Sequence, residues 1–226
     1  MGRALLTAVI VAALSTGCVS EAPGEILEQT QRDTSVVELP TPERNGPLSL
    51  EQVLDERRSV RDYSTTPLTL DEIGQLLWAG QGITDDGAGY RTTPSAGARY
   101  PLELYAITAT DLMHYLPAGH RVEQRADTTT LAALPDTAFG QEFVGSAPLV
   151  VVVAADPART EQEYGAMAGD LVNREAGHAA QNLLLQATAL GLAAVPVGGF
   201  DPAAVARLLA LPPGETVLYL IPVGRP

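Results

Sequence analysis

The sequence predicts an α+β fold in which helices flank a central sheet. Residues 149–155 form a continuous apolar run rich in valine, which is typical of a strand covered on both faces. Residues 175–190 are rich in alanine and leucine, and Gly191 stands where a helix C-terminal cap belongs. Helical and strand patterns alternate loosely along the rest of residues 47–226, with no internal repeat. This arrangement favours layers around one sheet.

Two capping boxes predict where the first two helices begin. Residues 49–52 (SLEQ) and 69–72 (TLDE) match the pattern in which a hydroxyl residue and the third residue after it satisfy each other's backbone amides. The second of these helices should end near Gly80 or Gly82. A last helix should begin at Asp201-Pro202. Further strands are predicted at 102–108, 114–117, 194–197 and 216–223.

The composition permits one globular domain and argues against nucleic acid as a partner. Of the 226 residues, 46% are hydrophobic and 18% charged, which is an ordinary balance for a protein with a packed core. The formal net charge is −13, lysine is absent from the sequence, and the arginines are scattered. Since nucleic-acid backbones are bound through basic patches, no nucleic-acid partner is expected.

The amino terminus has the pattern of a targeting segment. Arg3 gives a short positive region, residues 4–14 are apolar, and small residues lead to Cys18, the only cysteine. This order resembles a bacterial lipoprotein signal over 1–18. We therefore expect export, lipidation of Cys18 and a membrane anchor on the periplasmic or cell-surface side, with an ordinary cleaved signal peptide as the alternative. Residues 19–46 are polar, which predicts a flexible linker before the folded domain of residues 47–226.

A cluster of three arginines and a serine follows the first predicted helix. Arg57, Arg58, Ser59 and Arg61 lie within five residues, where the apolar pattern of that helix stops. Guanidinium groups bind phosphate in a bidentate manner, and a serine hydroxyl adds a neutral donor. In extended backbone, residues 57, 59 and 61 would share one side. The alternative is an interaction of these arginines with the helix C-terminus, and spacing alone favours that alternative.

Four further segments have features that could serve a ligand site. Residues 94–101 (PSAGARYP) form a loop of small residues between prolines, where backbone can approach a ligand closely. Residues 177–182 (GHAAQN) put polar groups on an otherwise apolar helix. Residues 196–201 (PVGGFD) join a strand to a helix N-terminus, a geometry that favours anions. Residues 222–225 (PVGR) add one more cation near the end of the chain.

Taken in order, these segments resemble the FMN-dependent nitroreductase family, and in particular its SagB-type dehydrogenase branch. The matching stretches are 57–63 (RRSVRDY), 76–82 (LLWAGQG), 94–97, 177–182, 191–201 and 222–225. The resemblance covers about residues 48–226, which is the whole predicted folded part. It implies a nitroreductase-like α+β fold with a mixed or antiparallel sheet flanked by helices. It also implies FMN as cofactor, in a homodimer whose sites each draw on both chains.

By position, the resemblance also implies the FMN contacts. Arg57, Ser59 and Arg61 would hold the phosphate and the ribityl chain, with Arg58 adjacent and Arg225 as a second phosphate contact. Pro94, Ser95, Ala96 and Gly97 would lie by the isoalloxazine ring. Gly198 and Gly199 would direct backbone N–H groups to the polar edge of the ring, where negative charge develops on reduction.

A direct catalytic role is predicted only for Tyr164. It resembles the tyrosine of a proton-abstracting pair in the azole-maturing branch, but Glu163 precedes it where that branch has a lysine. This difference weakens an azoline-oxidation interpretation, and the alternative for Tyr164 is an aromatic at a helix start that packs the dimer. His178 is expected to be a hydrogen-bonded structural residue. The three histidines show no ligand spacing, so no metal site is expected.

The expected function is an FMN-dependent oxidoreductase that acts on a small organic or peptide-derived substrate. Because nicotinamide cofactors are cytoplasmic, an exported enzyme would be reduced directly by its substrate and reoxidised by oxygen or a quinone. Two alternatives stay open. One is an NAD(P)H-dependent nitro or quinone reductase, and the other is a surface protein that binds flavin without turnover.

Overall fold

The computed structural model describes Gly2 and residues 34–226. Within that part the helices are α1 Leu50–Glu56, α2 Leu70–Gln81, α3 Thr130–Thr137, α4 Glu142–Ser146, α5 Ala158–Tyr164, α6 Ala168–Ala189 and α7 Pro202–Leu209. The strands are β1 Thr34–Glu38, β2 Ile83–Asp85, β3 Tyr90–Arg91, β4 Leu102–Ile107, β5 Asp111–Leu116, β6 Arg121–Ala126, β7 Leu149–Ala155, β8 Ala193–Ala194 and β9 Thr216–Gly224. Short 3-10 turns lie at Ala96–Ala98 and Gly165–Met167.

Seven of these strands form one sheet in the order β1-β6-β5-β4-β7-β9-β8. Each of its neighbouring strands pairs antiparallel, and β7 lies between β4 and β9. All seven residues of β7 are fully buried, as the valine run predicts. The predicted central sheet flanked by helices is therefore confirmed.

The sheet separates two apolar layers, because successive side chains of a strand point to opposite faces. Val151 and Val153 belong to the layer that includes side chains of α2 and α6. Val150 and Val152 belong to the layer that includes side chains of α3, α4 and α7. Both faces of β7 are thus covered by helices.

The predicted helix caps are present. The hydroxyls of Ser49 and Thr69 accept from the backbone amides of Gln52 and Glu72, whose side chains accept in return from the two cap amides. The Asp201 side chain caps α7 without a reciprocal bond, by accepting from the amides of Ala203 and Ala204, and Pro202 is the first helical residue.

Several boundaries differ from the sequence prediction. α6 begins at Ala168 rather than at residue 175, and β5 covers 111–116 rather than 114–117. The strand predicted at 194–197 is reduced to β8 and an isolated bridge between Val197 and Leu220.

β1 and β6 have no counterpart in the prediction, because they form the polar edge of the sheet. Of the six β6 residues only Val122 is buried, so little apolar periodicity marks this strand.

The segment predicted as a flexible linker differs in the part that the structure describes. Within it, β1 pairs with β6 and Leu39 is buried. The side chain of Gln75 then binds the backbone of Glu43 at both polar groups: its oxygen accepts from the amide at 2.8 Å, and its nitrogen donates to the carbonyl at 2.9 Å. Residues 34–43 are therefore fixed against the domain rather than forming a free tether.

The prediction that this chain is a lipoprotein with a signal peptide is corrected, because no apolar helix among the described residues supports it. Residues 1–18, including Cys18, lie outside the described residues apart from Gly2. Among the helices that the structure describes, none is long and apolar enough to cross a membrane. We therefore assign no lipid anchor to Cys18.

Candidate functional site

The arginine cluster runs along the end of the sheet next to β8. Arg57 ends α1 with extended backbone angles, φ −55° and ψ 124°. Ser59 then forms a parallel bridge with Ala194, and the Val60 amide donates to the Ala194 carbonyl at 3.1 Å. The cluster is thus held in an extended conformation by the sheet, which is the arrangement that places residues 57, 59 and 61 on one side.

The three guanidinium groups of the cluster differ in their contacts. Within the part of the chain that the structure describes, neither Arg57 nor Arg61 has an ion-pair partner, and Arg61 lies 5.5 Å from the centre of the Phe143 ring. Ser59 is exposed. Arg58 instead donates to the carbonyls of Asp55 and Arg57, at 2.5 and 2.8 Å. Arg58 therefore satisfies the helix end, while Arg57, Ser59 and Arg61 stay available to an anion.

Arg225 reaches the same end of the sheet from β9. Gly224 pairs with Ala193 of β8, and the Arg225 carbonyl accepts from the Ser64 amide at 2.9 Å. Its guanidinium is paired with the carboxylate of Glu72, at 2.8 and 2.9 Å. The structure therefore brings Arg225 to the strand next to the cluster, but with a partner of its own.

Gly198 and Gly199 follow the bridge at Val197 and are exposed. Their amides have no acceptor among the described residues, and a methyl group added at Gly198 would have no atom within 4 Å. The Gly199 carbonyl accepts from the side chain of Gln141 at 2.7 Å, which fixes this turn beside α4. These amides are open to a ligand.

The N-terminus of α7 is not the anion site that the sequence predicts. The Asp201 carboxylate accepts from the amides of Ala203 and Ala204, at 2.9 and 3.0 Å. Because the chain's own carboxylate satisfies these donors, any anion in this region would meet the glycine amides and not the helix end.

A buried carboxylate on α6 holds the loop of residues 94–97 in place. Glu175 of α6 is 4% exposed and accepts from the Ala96 amide at 2.8 Å. The Ser95 hydroxyl accepts from the Tyr100 amide at 2.8 Å. Gly97 has a φ of +57°, a conformation that favours glycine. The loop therefore has a defined shape.

Tyr164 lies against this loop, at the end of α5 and immediately before the 3-10 turn at Gly165–Met167. A Cβ atom added to Gly97 would stand 3.0 Å from the Tyr164 hydroxyl and 2.8 Å from the Glu163 carboxylate. Glu163 accepts from Arg99 at 2.7 Å and forms an ion pair with it. The acidic residue at 163 is therefore balanced by a cation from the loop itself, and Tyr164 stands beside both.

Arg159 connects the same loop to a polar network behind it. It donates to the Tyr100 carbonyl at 3.2 Å and pairs with Glu103, which also binds His114 at 2.8 Å. Burial acts to raise the pKa of Glu103, but the hydrogen bond from His114 and the charge of Arg159 bring the pKa below its usual value. Burial acts to lower the pKa of His114, but the bond to Glu103 raises it overall. Nothing in the local sequence indicates this network, because its members come from distant segments.

One chain does not bring the loop and the cluster together. No hydrogen bond, ion pair or ring contact among the described residues joins 94–101 to 57–61. The loop rests on Glu175, whereas the cluster borders β8, which follows the C-terminal end of α6. Glu175 and Ala189 are 14 residues apart on α6, which corresponds to about 21 Å at 1.5 Å per residue.

His178 makes no hydrogen bond, ion pair or ring contact among the described residues. It is exposed on α6 rather than a buried, hydrogen-bonded residue, so that prediction is wrong. Among the described residues no group of three His, Cys, Asp or Glu side chains is placed to hold a metal ion.

Comparison with known proteins identifies the family. A model of the nitroreductase family matches residues 54–225. The chain belongs to the nitroreductase family. A nitroreductase homologue from Methanocaldococcus jannaschii is 40% identical over 200 residues, which cover 85% of this chain and 98% of that protein. The expected α+β nitroreductase-like fold and an oxidoreductase of this family are thereby confirmed, whereas the SagB-type branch stays a prediction.

Solved nitroreductase structures share the fold. A nitroreductase-family structure from Ralstonia eutropha JMP134 superposes with a TM-score of 0.76 at 30% identity, covering 84% of this chain and 89% of that one. An NADPH:FMN oxidoreductase from Vibrio harveyi, solved with NAD+, has a TM-score of 0.59 at 22% identity, covering 78% of this chain and 68% of that one. At this lower identity the Vibrio structure supports the fold alone.

Proposed function

We propose that this nitroreductase-family chain is an FMN-dependent oxidoreductase that holds the cofactor phosphate with Arg57, Ser59 and Arg61. The observation that carries the proposal is the pair of guanidinium groups at 57 and 61, which have no ion-pair partner among the described residues and flank an exposed serine. A phosphate monoester carries up to about two negative charges at neutral pH and accepts bidentate bonds. It would satisfy both cations and the hydroxyl.

The remaining donors at this end of the sheet fit the other parts of the same ligand. Arg225, one strand away from the cluster, adds a third cation for the phosphate. The open amides of Gly198 and Gly199 are suited to the polar edge of the isoalloxazine ring. Bound FMN would supply hydride transfer, and these amides would stabilise the negative charge that develops on the ring.

The loop of Pro94, Ser95, Ala96 and Gly97 supplies the ring's other contacts from a second chain. The separation of the loop and the cluster along α6 supports this proposal, since each of them lacks the other's donors within one chain. We therefore propose a homodimer with two FMN sites, each built from the cluster of one protomer and the loop of its partner. Tyr164, beside Gly97, would then face the ring and donate or accept the substrate's proton.

Mixing two defective variants tests the shared site. One variant carries Arg57→Ala and Arg61→Ala, and the other carries Gly97→Val, which is disfavoured at φ +57° and would clash with Glu163. Neither should retain FMN alone. A refolded mixture should regain one intact site in each mixed dimer, measured as protein-bound flavin absorbance after gel filtration. Failure of every mixture to regain FMN, while wild-type chains treated in the same way do, would show that the site does not draw on both chains.

The proposed substrate is a small organic or peptide-derived compound, within the SagB-type branch. The motif at 94–97 and the position of Tyr164 support that branch. Azoline-oxidising members have a lysine immediately before this tyrosine, whereas here the position is Glu163, a carboxylate paired with Arg99. Azoline oxidation is therefore not proposed.

A second candidate is an NAD(P)H-dependent nitro or quinone reductase, which the 40% identity to the nitroreductase homologue from Methanocaldococcus jannaschii favours. A nicotinamide donor was disfavoured only for an exported enzyme, and no export signal is assigned to this chain. The deciding experiment is anaerobic mixing of the FMN-loaded protein with NADH or NADPH. Rapid loss of the oxidised flavin's visible absorption assigns the reductase function. An unchanged spectrum that organic substrates then bleach assigns the dehydrogenase function.

A further inference from the structure

Glu72 connects the N-terminus of α2 to Arg225 at the end of β9. Both of its carboxylate oxygens accept from Nη2 of Arg225, at 2.8 and 2.9 Å. The side chain of Glu72 is 17% exposed and that of Arg225 is 36% exposed, so water shields the pair only in part. Nη1 and Nε of Arg225 have no acceptor among the described residues. The contact with Glu72 therefore leaves the N–H groups of Nη1 and Nε free to bind a further anion.

Both ends of this contact are fixed by the backbone. The Glu72 carboxylate also accepts from the Thr69 amide at 2.8 Å, as the reciprocal half of the capping box that starts α2. At the other end, the Arg225 carbonyl accepts from the Ser64 amide at 2.9 Å. A long arginine side chain near the end of the chain is thereby confined to one orientation.

We infer that Glu72 is a positioning residue of the phosphate site, which orders Arg225 so that its remaining N–H groups meet the FMN phosphate. The inference rests on the proposed FMN function. A free arginine side chain loses rotamer freedom when it binds, and Glu72 removes that freedom before the ligand arrives. A carboxylate near a phosphate also repels it, so the two effects of Glu72 have opposite signs. Arg225 itself neutralises the charge of Glu72, so the repulsion between Glu72 and the phosphate is weak. The ordering of Arg225 is therefore the larger of the two effects.

The matched pair Glu72→Gln and Asp71→Asn separates ordering from charge. Both remove one negative charge from the first turn of α2, but Asp71 is exposed and has no partner among the described residues. Glutamine preserves the helix cap, as Gln52 shows in the capping box with Ser49. Dissociation constants for FMN and for riboflavin, which lacks the phosphate, are measured by quenching of flavin fluorescence, with thermal unfolding as the check on folding.

Glu72→Gln should weaken FMN binding about three- to tenfold, the range expected when one side chain must be ordered on binding. Riboflavin binding should not change, Asp71→Asn should not weaken FMN binding, and Glu72→Gln should have no further effect once Arg225→Ala is present. Unchanged or tighter FMN binding by Glu72→Gln, or an equal loss in the Arg225→Ala background, overturns the inference and leaves the proposed function standing. A wild-type protein that binds no flavin, or binds riboflavin as well as FMN, overturns both.

Discussion

The double change Arg57→Ala and Arg61→Ala is expected to abolish retention of FMN. Each single change removes a charge-assisted contact of about 1.5–3 kcal/mol, which corresponds to about 10- to 150-fold weaker binding. Folding should be preserved, because neither guanidinium has an ion-pair partner among the described residues and Arg61 gives up only its contact with the Phe143 ring. Titration with FMN and riboflavin measures the effect, and the loss should be confined to FMN.

Arg58→Ala is the matched control for this prediction. Like each of the two single changes, it removes one positive charge from the same five residues, but its guanidinium is engaged by the carbonyls of Asp55 and Arg57. We expect at most a small change in FMN affinity from the general loss of positive charge. An equal loss in Arg58→Ala, or full retention of FMN by the double variant, would remove the cluster from the phosphate site.

Val152→Ala is expected to have the largest effect on stability. Val152 is fully buried on β7, in the layer formed with α3, α4 and α7. The change removes two buried methyl groups and leaves a cavity between the sheet and the helices, at a cost of about 2–4 kcal/mol in the free energy of unfolding. Urea denaturation should show a lower midpoint with the slope unchanged.

The same substitution on the edge strand provides the comparison. Val36 on β1 is 54% exposed, so Val36→Ala should change the free energy of unfolding by no more than about 0.5 kcal/mol. If the two variants were equally stable, β7 would not be the covered centre of the sheet.

The sequence predicted the parts of the fold whose signals are local. The valine run of β7, the reciprocal caps of α1 and α2, and the Asp201-Pro202 start of α7 all need only a few adjacent residues to be recognised. β1 and β6 were missed because edge strands gain their structure from pairing with each other, while their side chains stay largely in water. Propensity cannot reveal such pairing.

For the site, the order of motifs indicated which segments matter but not what holds them. The contacts of Glu72 with Arg225, Glu175 with Ala96 and Glu163 with Arg99 join residues 153, 79 and 64 positions apart. No periodicity spans such distances. The anion site expected at the start of α7 failed for a local reason, since the predicted cap, Asp201, itself satisfies the helix amides.

Comparison of FMN with riboflavin binding to the wild-type protein tests the central claim most directly. The claim is that an extended arginine cluster beside β8 holds the phosphate of a flavin. It predicts that the purified protein takes up FMN, retains it as a coloured complex through gel filtration, and binds riboflavin at least about tenfold more weakly. A protein that stays colourless after incubation with FMN, or that binds the two flavins equally, would contradict it.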